Sequence, residues 1–180
     1  MINSQDIINF WFKELKPKQW WVKDPEFDQL LIDKYSDLHQ QANAGELSSW
    51  RETAEGRLAE IIILDQFSRN MFRDTPQAFA SDCLALCLSQ WAIASADDKK
   101  LSQQQRQFLY MPFMHSESKA IHQKAVELYS SLGTGYGYDF ELKHKAIIDK
   151  FGRYPHRNKV LGRKSSPQEI EFLKQPNSSF

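Results

Sequence analysis

The sequence predicts an all-α protein, and three features of its pattern lead to this expectation. Apolar residues recur at i, i+3 and i+4 along most of the 180-residue chain, as they do on one face of an α-helix. Alternating apolar and polar residues, which are typical of half-buried strands, are nearly absent. Proline, glycine and helix-capping residues divide the chain into segments of helical length. We expect seven or eight helices with short loops, arranged either as a bundle or as stacked antiparallel helical hairpins.

Proline and glycine bound the first two predicted helices. The first is expected at about residues 4–15 and ends before Pro17, because proline cannot continue a helix. Its apolar face consists of Ile7, Ile8, Trp11, Phe12 and Leu15. The second begins with Asp24 as N-cap and Pro25 at the first helical position, and it stops at Gly45, in keeping with the usual places of these residues at helix ends.

The third predicted helix, at about residues 49–72, is expected to lie at the centre of the fold. It contains four consecutive apolar residues, from Ile61 to Leu64. At 3.6 residues per turn these side chains point in four different directions. A helix that is apolar all round is surrounded by other helices.

The next three helices are bounded less sharply. The fourth is expected at about residues 78–95, and the fifth at about 102–110, where Pro112 interrupts it because proline lacks a backbone N–H group. Ser116 is the predicted N-cap of the sixth helix, which ends before Gly133.

The last two helices have clear signals at their ends. Asp139 is expected to cap the seventh helix, which stops at Gly152. The eighth begins with Ser166 as N-cap and Pro167 at the first helical position, and Glu169 completes a capping box, in which two side chains satisfy each other's backbone N–H groups.

Length and composition indicate one soluble domain at residues 1–174, with a flexible tail at 175–180. The start of the chain has neither a signal-peptide pattern nor an apolar run long enough to span a membrane, so we expect a cytoplasmic protein. Cys83 and Cys87, the only cysteines, are four residues apart in a helical pattern. We expect both to be reduced core residues.

Charge balance argues against polyanionic partners. Lys and Arg total 23, as do Asp and Glu, so we expect neither nucleic acid nor a membrane surface as partner. The cations are nevertheless unevenly placed, because the segment 151–164, FGRYPHRNKVLGRK, contains three arginines, two lysines and a histidine without an acid. This segment is either a solvated basic loop or part of an anion site.

Arginine supports the second of these alternatives. Its guanidinium group binds carboxylates and phosphates with two parallel hydrogen bonds, and the segment offers Arg153, Arg157 and Arg163 for this role. Aromatic side chains at Tyr154, Phe67 and Phe151 are candidate walls for such a site.

Polar residues on the central helix are a second candidate feature. In LDQFSRNMFR, residues 64–73, the side chains of Asp65, Arg69 and Arg73 lie at i, i+4 and i+8, and therefore form a stripe on one helical face. Surface ion pairing accounts for the stripe equally well. On a buried helix, however, charges are costly unless they are paired or face a cleft, and the stripe then indicates a cleft.

Histidines near these segments are candidate acid/base groups. In PFMHSE, residues 112–117, His115 and Glu117 are expected at a helix N-terminus, where backbone N–H groups favour anions. His144 has apolar neighbours at helical spacing, among them Phe140, and we expect it to face inward. The alternatives are simple helix capping for the first pair and a structural core role for His144.

Several of these motifs together resemble a known family. FWF near the N-terminus, ILDQFSRNMFR, FLYMPFMHSE and HKAIIDKFGRYPHRNKVLGRKSSPQEIEFL follow one another as do the motif blocks of the bacterial domain of unknown function 924. The resemblance covers nearly the whole chain. It implies a single all-α domain of stacked helical hairpins, similar to a tetratricopeptide-like superhelix, and it implies no activity.

Two functional hypotheses follow. The first is a pocket that binds a small anionic molecule bearing phosphate or carboxylate, with residues for ligand binding at Asp65, Arg69, Glu117, Arg153 and Arg157, and for acid/base chemistry at His115, His144 and His156. The second is a scaffold whose groove binds an acidic peptide or a protein partner. No motif for a metal or cofactor occurs, so we expect neither. The sequence does not indicate the oligomeric state.

Overall fold

The computed structural model describes residues 2–133, 135, 137–176 and 178–179, and within this part the protein is helical without any strand. The all-α class is therefore confirmed, as is the expected number of helices, since eight are present in the described ranges. Consecutive helices from the third to the seventh pack against each other in chain order. This order is compatible with stacked hairpins, and the tetratricopeptide-like superhelix stays a prediction.

The helices are numbered in chain order. α1 joins Ser4–Asn9 to the π-helical turn Phe10–Glu14, and α2 is Pro25–Asn43. α3 joins Ala54–Ile62, the π-helical stretch Ile63–Phe67 and Ser68–Met71. The remaining helices are α4 at Asp82–Ala94, α5 at Gln103–Met114, α6 at Lys119–Ser130, α7 at Tyr138–Phe151 and α8 at Pro167–Leu173. Short 3-10 turns occur at Pro17–Trp20, Ser48–Glu52, Pro76–Phe79, Asp97–Lys100 and Pro155–Arg157.

Helix α3 is the centre of the main core. It contacts α1, α2, α4 and α5, and the four residues from Ile61 to Leu64 are fully buried. The prediction of a surrounded central helix is confirmed. Around it pack aromatic side chains of the other helices, such as Trp11, Tyr35 and Phe108.

The predicted caps at Asp24 and Ser166 are confirmed. The Asp24 carboxylate accepts hydrogen bonds from the backbone N–H groups of Glu26 and Phe27. Ser166 and Glu169 form the reciprocal capping box. A second, smaller apolar cluster of Ile147, Ile148 and Tyr154 packs α7 against the segment that follows it, and α8 adds Phe172.

Four predicted boundaries are wrong. The N-cap of α7 is Gly137 rather than Asp139, which lies in the first turn of the helix. α3 begins after Thr53, whose hydroxyl accepts from Gly56 N–H, because residues 48–52 form a separate 3-10 turn. Pro112 lies inside α5. Its ring removes one hydrogen bond, but every residue from Phe108 to Met114 is buried, so packing holds the last turn helical. The fourth helix begins at Asp82 rather than near residue 78.

The loop between α5 and α6 also differs from the prediction. Ser118, not Ser116, is the N-cap of α6. Because α5 extends through Met114, His115 is its C-cap, and the expectation of His115 at a helix N-terminus is wrong. His115 therefore lies where α5 presents its carbonyl groups rather than its amides.

The cysteines are free thiols, but their predicted place in the core is wrong. Cys83 and Cys87 are both exposed. The packed face of α4 consists of small residues, Ala85, Ser89 and Ala92, and the Ser89 hydroxyl donates to the carbonyl oxygen of Leu109 on α5. Close approach of α4 and α5 through these small side chains turns the cysteines outward.

Two residues of the predicted tail at 175–180, at positions 177 and 180, lie outside the described part of the chain. Of the others, Ser178 donates its hydroxyl hydrogen to the carbonyl oxygen of Leu173 at 3.1 Å. Among the described helices, none combines the length and apolar character that crossing a membrane requires.

Candidate functional site

Five polar side chains from four parts of the chain meet beside the central helix, and we call them the arginine–histidine cluster. Asp65 and Arg69 come from α3, Asp82 from the first turn of α4, His115 from the end of α5, and Arg157 from the 3-10 turn after α7. Arg69, Asp82, His115 and Arg157 keep side-chain exposures of 19%, 19%, 14% and 7%. The cluster therefore lies just beneath the surface, within reach of solvent.

Asp65 and His115 form a hydrogen-bonded pair. The distance between His115 Nδ1 and Asp65 Oδ1 is 2.7 Å. Burial raises the pKa of Asp65, but Arg69, His115 and Gln66 together lower it below its ordinary value, so the carboxylate is ionised and can only accept. His115 Nδ1 must then carry the proton, which leaves a lone pair on Nε2. Burial and the charge of Arg69 lower the pKa of His115, so the imidazole is neutral at neutral pH.

The backbone of α3 places Asp65 in the π-helical stretch Ile63–Phe67. All five residues of this stretch are buried, which means that surrounding helices hold the widened turn in place. Single π-helical turns inside α-helices occur often at functional sites. Here the turn buries one carboxylate against the guanidinium of Arg69, at 3.0 Å.

Arg69 and Arg157 share the carboxylate of Asp82. Arg69 binds it with two parallel hydrogen bonds, Nη1 to Oδ1 at 2.9 Å and Nη2 to Oδ2 at 3.1 Å. Arg157 reaches the same carboxylate only through Nη1, at 3.3 Å from Oδ2. Two cations and one carboxylate therefore meet at this point, and Asp65 supplies the second negative charge.

Arg157 is held by aromatic rings rather than by a carboxylate of its own. Its guanidinium carbon lies 4.5 Å from the ring centroids of both Phe79 and Tyr154, which is cation–π distance. Arg157 is only 6% exposed. Among the described residues its Nε has no hydrogen-bond partner, and none is formed by Nη2 either. Burial and the neighbouring charge of Arg69 lower the pKa of Arg157.

The other arginines of the chain show two kinds of arrangement. Five bind a carboxylate through two nitrogens, in the pairs Arg51–Glu60, Arg69–Asp82, Arg73–Asp28, Arg153–Glu169 and Arg163–Glu117. Arg57 approaches Asp97 through Nε alone, at 2.8 Å, and the buried Nε of Arg106, like that of Arg157, has no hydrogen-bond partner among the described residues. Arg157 is more buried than any of these five, yet its Nε–Nη2 edge is unoccupied within the described ranges. That edge has the geometry of a bidentate anion site.

Tyr154 connects the cluster to two further histidines. Its ring lies 5.7 Å from that of His144, edge to face. His144 Nδ1 donates to the carbonyl oxygen of Phe140 at 2.8 Å, and burial lowers the pKa of His144 to about 3. His156, 5.5 Å from the same ring, has a pKa that burial lowers to about 4. The inward placement of His144 is confirmed, although Phe140 itself is exposed.

A buried acid–histidine pair lies on the other side of Tyr154. The Tyr154 hydroxyl donates to the carbonyl oxygen of Met114 at 2.5 Å and lies 3.2 Å from His122 Nε2. His122 Nδ1 is 2.7 Å from Glu141 Oε1, and both side chains are fully buried. Burial raises the pKa of Glu141. No feature of the sequence singled out this pair, because its members lie on different helices.

The structure brings some of the predicted site residues together and separates others. Asp65, Arg69, His115 and Arg157 belong to the cluster, and His144 and His156 flank Tyr154. Glu117 instead binds Arg163 and the backbone N–H of Tyr154, and Arg153 binds Glu169 and the carbonyl oxygen of Lys164. These two ion pairs hold the segment after α7 in place.

Two predicted details are wrong. The stripe on α3 does not continue to Arg73, which lies beyond the end of the helix and binds Asp28 of α2. Of the candidate aromatic walls, only Tyr154 contacts the cluster. Phe67 is buried in the main core, and Phe151 packs on Phe172.

Asp82 and Phe79 are the residues that the sequence did not reveal. Asp82 is separated from Arg157 by 75 positions, and an acid in the first turn of a helix is commonly a partner of the helix dipole. Phe79 is the last residue of the 3-10 turn Pro76–Phe79 and has no distinguishing neighbour in the sequence. The described residues contain no group of three side chains suited to hold a metal ion.

Comparisons with other proteins agree with the architecture and leave the chemistry open. Residues 7–177 match the family described as bacterial protein of unknown function (DUF924), and no curated protein matches the chain. The solved structure of the protein of unknown function ATU0120 from Agrobacterium tumefaciens is 40% identical in sequence. It covers 95% of this chain and 96% of its own, with a TM-score of 0.90. The chain therefore belongs to the bacterial family of proteins of unknown function DUF924.

Proposed function

We propose that the arginine–histidine cluster binds a small anionic molecule, bearing carboxylate or phosphate, at the Nε–Nη2 edge of Arg157. One observation carries the proposal: a buried guanidinium, in cation–π contact with two aromatic rings, whose Nε–Nη2 edge has no partner among the described residues. Leaving a buried charged donor unpaired costs about 1–3 kcal/mol or more. A bound anion removes that cost, which is why a site of this kind favours a ligand.

His115 is the acid/base group that this site offers. Asp65 holds its Nδ1–H, so Nε2 of the neutral imidazole is oriented as a proton acceptor, as in other Asp–His pairs. A chain of ion pairs, from His115 through Asp65, Arg69 and Asp82 to Arg157, places the imidazole and the guanidinium in one cluster. Hydrolysis or another proton-transfer reaction on the ligand is the class of chemistry that fits.

Binding through Arg157 alone is expected to be weak. Two charge-assisted hydrogen bonds supply about 3–6 kcal/mol, and association costs at least ~4 kcal/mol. The surplus is at most about 2 kcal/mol, which corresponds to a dissociation constant of roughly 30 mM. Ligand screening should therefore use concentrations of tens to hundreds of millimolar, on the order of this constant and above.

Thermal unfolding in the presence of small carboxylates and phosphate esters tests the proposal. A ligand present at about ten times its dissociation constant stabilises the folded state by about 1.4 kcal/mol, which raises the Tm of a chain of this size by roughly 3–6 °C. The shift should disappear in Arg157→Met and persist in Arg73→Met, a matched variant whose arginine binds Asp28 outside the cluster. Equal shifts in both variants, or none with any anion, would contradict the proposal.

A scaffold that binds a peptide is the alternative, and the same edge of Arg157 motivates it. The C-terminal carboxylate of a peptide fits a bidentate guanidinium as a free acid does. Pull-down with the wild-type protein and Arg157→Met as paired baits separates the two: a partner retained only by the wild type favours the scaffold.

A further inference from the structure

We infer that the anion bound at Arg157 is a carboxylate with a single negative charge, rather than a phosphate. This inference rests on the proposed function and narrows its ligand class. It is drawn from the geometry of the guanidinium edge and from the balance of charges around it.

Two aromatic rings limit the space beside the guanidinium. Phe79 and Tyr154 each lie 4.5 Å from the guanidinium carbon, and Arg157 is 6% exposed with a fully buried Nε. The Nε–Nη2 edge presents two parallel N–H groups in one plane. A planar carboxylate needs little space beyond that plane, whereas a tetrahedral phosphate carries further oxygens outside it and needs more.

The charges around the edge are already balanced without a ligand. Arg69 and Arg157 contribute two positive charges, and Asp65 and Asp82 contribute two negative charges that they contact. His115 is neutral because burial and Arg69 lower its pKa. A carboxylate adds one negative charge to this neutral group, whereas a phosphate monoester adds about 1.5–2.

Nearby cations are not available to offset a second charge. Arg163 binds both oxygens of Glu117, and Arg153 binds both oxygens of Glu169. If either arginine bound a phosphate instead, its carboxylate would be left unpaired. The free-energy cost of that unpaired charge is larger than the gain from an exposed contact with the phosphate. A single additional charge can instead be neutralised by one proton on His115, whose Nε2 is oriented to accept it.

Matched ligand pairs test the inference. Benzoate and phenyl phosphate carry the same ring, as acetate and methyl phosphate carry the same methyl group, and their affinities can be measured by isothermal titration calorimetry at constant ionic strength. We expect each carboxylate to bind at least about tenfold more tightly than its phosphate counterpart. Both members of each pair should lose binding in Arg157→Met and keep it in Arg73→Met, because Arg73 binds Asp28 outside the cluster.

The outcomes separate the two claims. Equal or tighter binding of the phosphates, with the same dependence on Arg157, overturns the carboxylate inference and leaves the anion site standing. Absence of Arg157-dependent binding by all four ligands overturns both. An N-acetyl dipeptide with a free C-terminus, compared with its amide, identifies the source: tighter binding of the free dipeptide than of benzoate supports a carboxylate that belongs to a peptide.

Discussion

Replacing Arg157 by methionine is expected to leave the protein as stable as the wild type, although the arginine is buried. Methionine has a similar length and no charge, so the substitution removes the guanidinium without opening a large cavity. The matched variant Arg163→Met removes an arginine of the same basic segment whose guanidinium binds both oxygens of Glu117.

The expected magnitudes follow from the contacts of each side chain. Arg157 loses two cation–π contacts, worth about 2 kcal/mol each when desolvated, and methionine regains part of this through sulfur–aromatic contacts of about 0.3–1.5 kcal/mol each. Removing an unpaired buried donor returns about 1–3 kcal/mol. At the middle of these ranges the losses and gains cancel to within about 1 kcal/mol, and the long 3.3 Å contact with Asp82 adds little because Arg69 continues to bind both oxygens of that carboxylate. Arg163→Met leaves Glu117 without its guanidinium partner and should cost about 2 kcal/mol.

Differential scanning calorimetry without added anions measures both effects. For a chain of this size, 1 kcal/mol corresponds to about 2–4 °C in Tm, so Arg163→Met should melt about 4–8 °C below the wild type. Arg157→Met should melt within about 4 °C of it. If Arg157→Met lost more stability than Arg163→Met, Arg157 would be a structural residue, and the argument from its unpaired edge would fail.

Three further changes test the electrostatics of the buried groups. Asp65→Asn removes the carboxylate shared by Arg69 and His115 and should cost about 3 kcal/mol in urea unfolding; a change below about 1 kcal/mol would refute a structural pair. The lowered pKa of His144, about 3, means that the unfolded chain binds a proton that the folded chain does not, so stability present above pH 6.5 is lost as the pH falls. His144→Gln should therefore reduce the fall in the free energy of unfolding between pH 6.5 and 5 by about 1.4 kcal/mol per pH unit. An unchanged dependence of this free energy on pH would contradict the prediction. Glu141→Gln should change the free energy of unfolding by less than about 1 kcal/mol, because the amide can donate to or accept from the imidazole of His122 and the substitution removes a buried charge. A loss above about 3 kcal/mol would show that the charge is required.

Parts of the fold that depend on local chemistry could be predicted from the sequence. Asp24 with Pro25, and Ser166 with Glu169, define helix starts through hydrogen bonds within a few residues, and these predictions are confirmed. Pro112 and Cys83 were misplaced because tertiary packing decided their positions. The last turn of α5 is buried on all sides, and α4 turns its small residues rather than its cysteines to the core.

The candidate site was predictable in its residue types but not in its pairings. Arg69, His115 and Arg157 were identified from their segments. Which carboxylate each arginine contacts depends on the approach of distant helices, and Asp82, the partner shared by Arg69 and Arg157, had no local signal. Arg153 looked equivalent to Arg157 in the sequence, and only the structure shows that one of them is bidentate with a carboxylate while the other is not.

The widened turn at Ile63–Phe67 makes the length of α3 a constraint on how this chain can vary. A residue gained or lost in the α-helical part of α3 before this turn would change the length of the helix by about 1.5 Å and rotate everything that follows by about 100°. Arg69 would then swing away from Asp82 while the buried apolar residues before it kept their places. Insertions and deletions should accordingly be tolerated in the exposed loops between helices and excluded from this stretch, where a change of one position alters the register of the whole cluster.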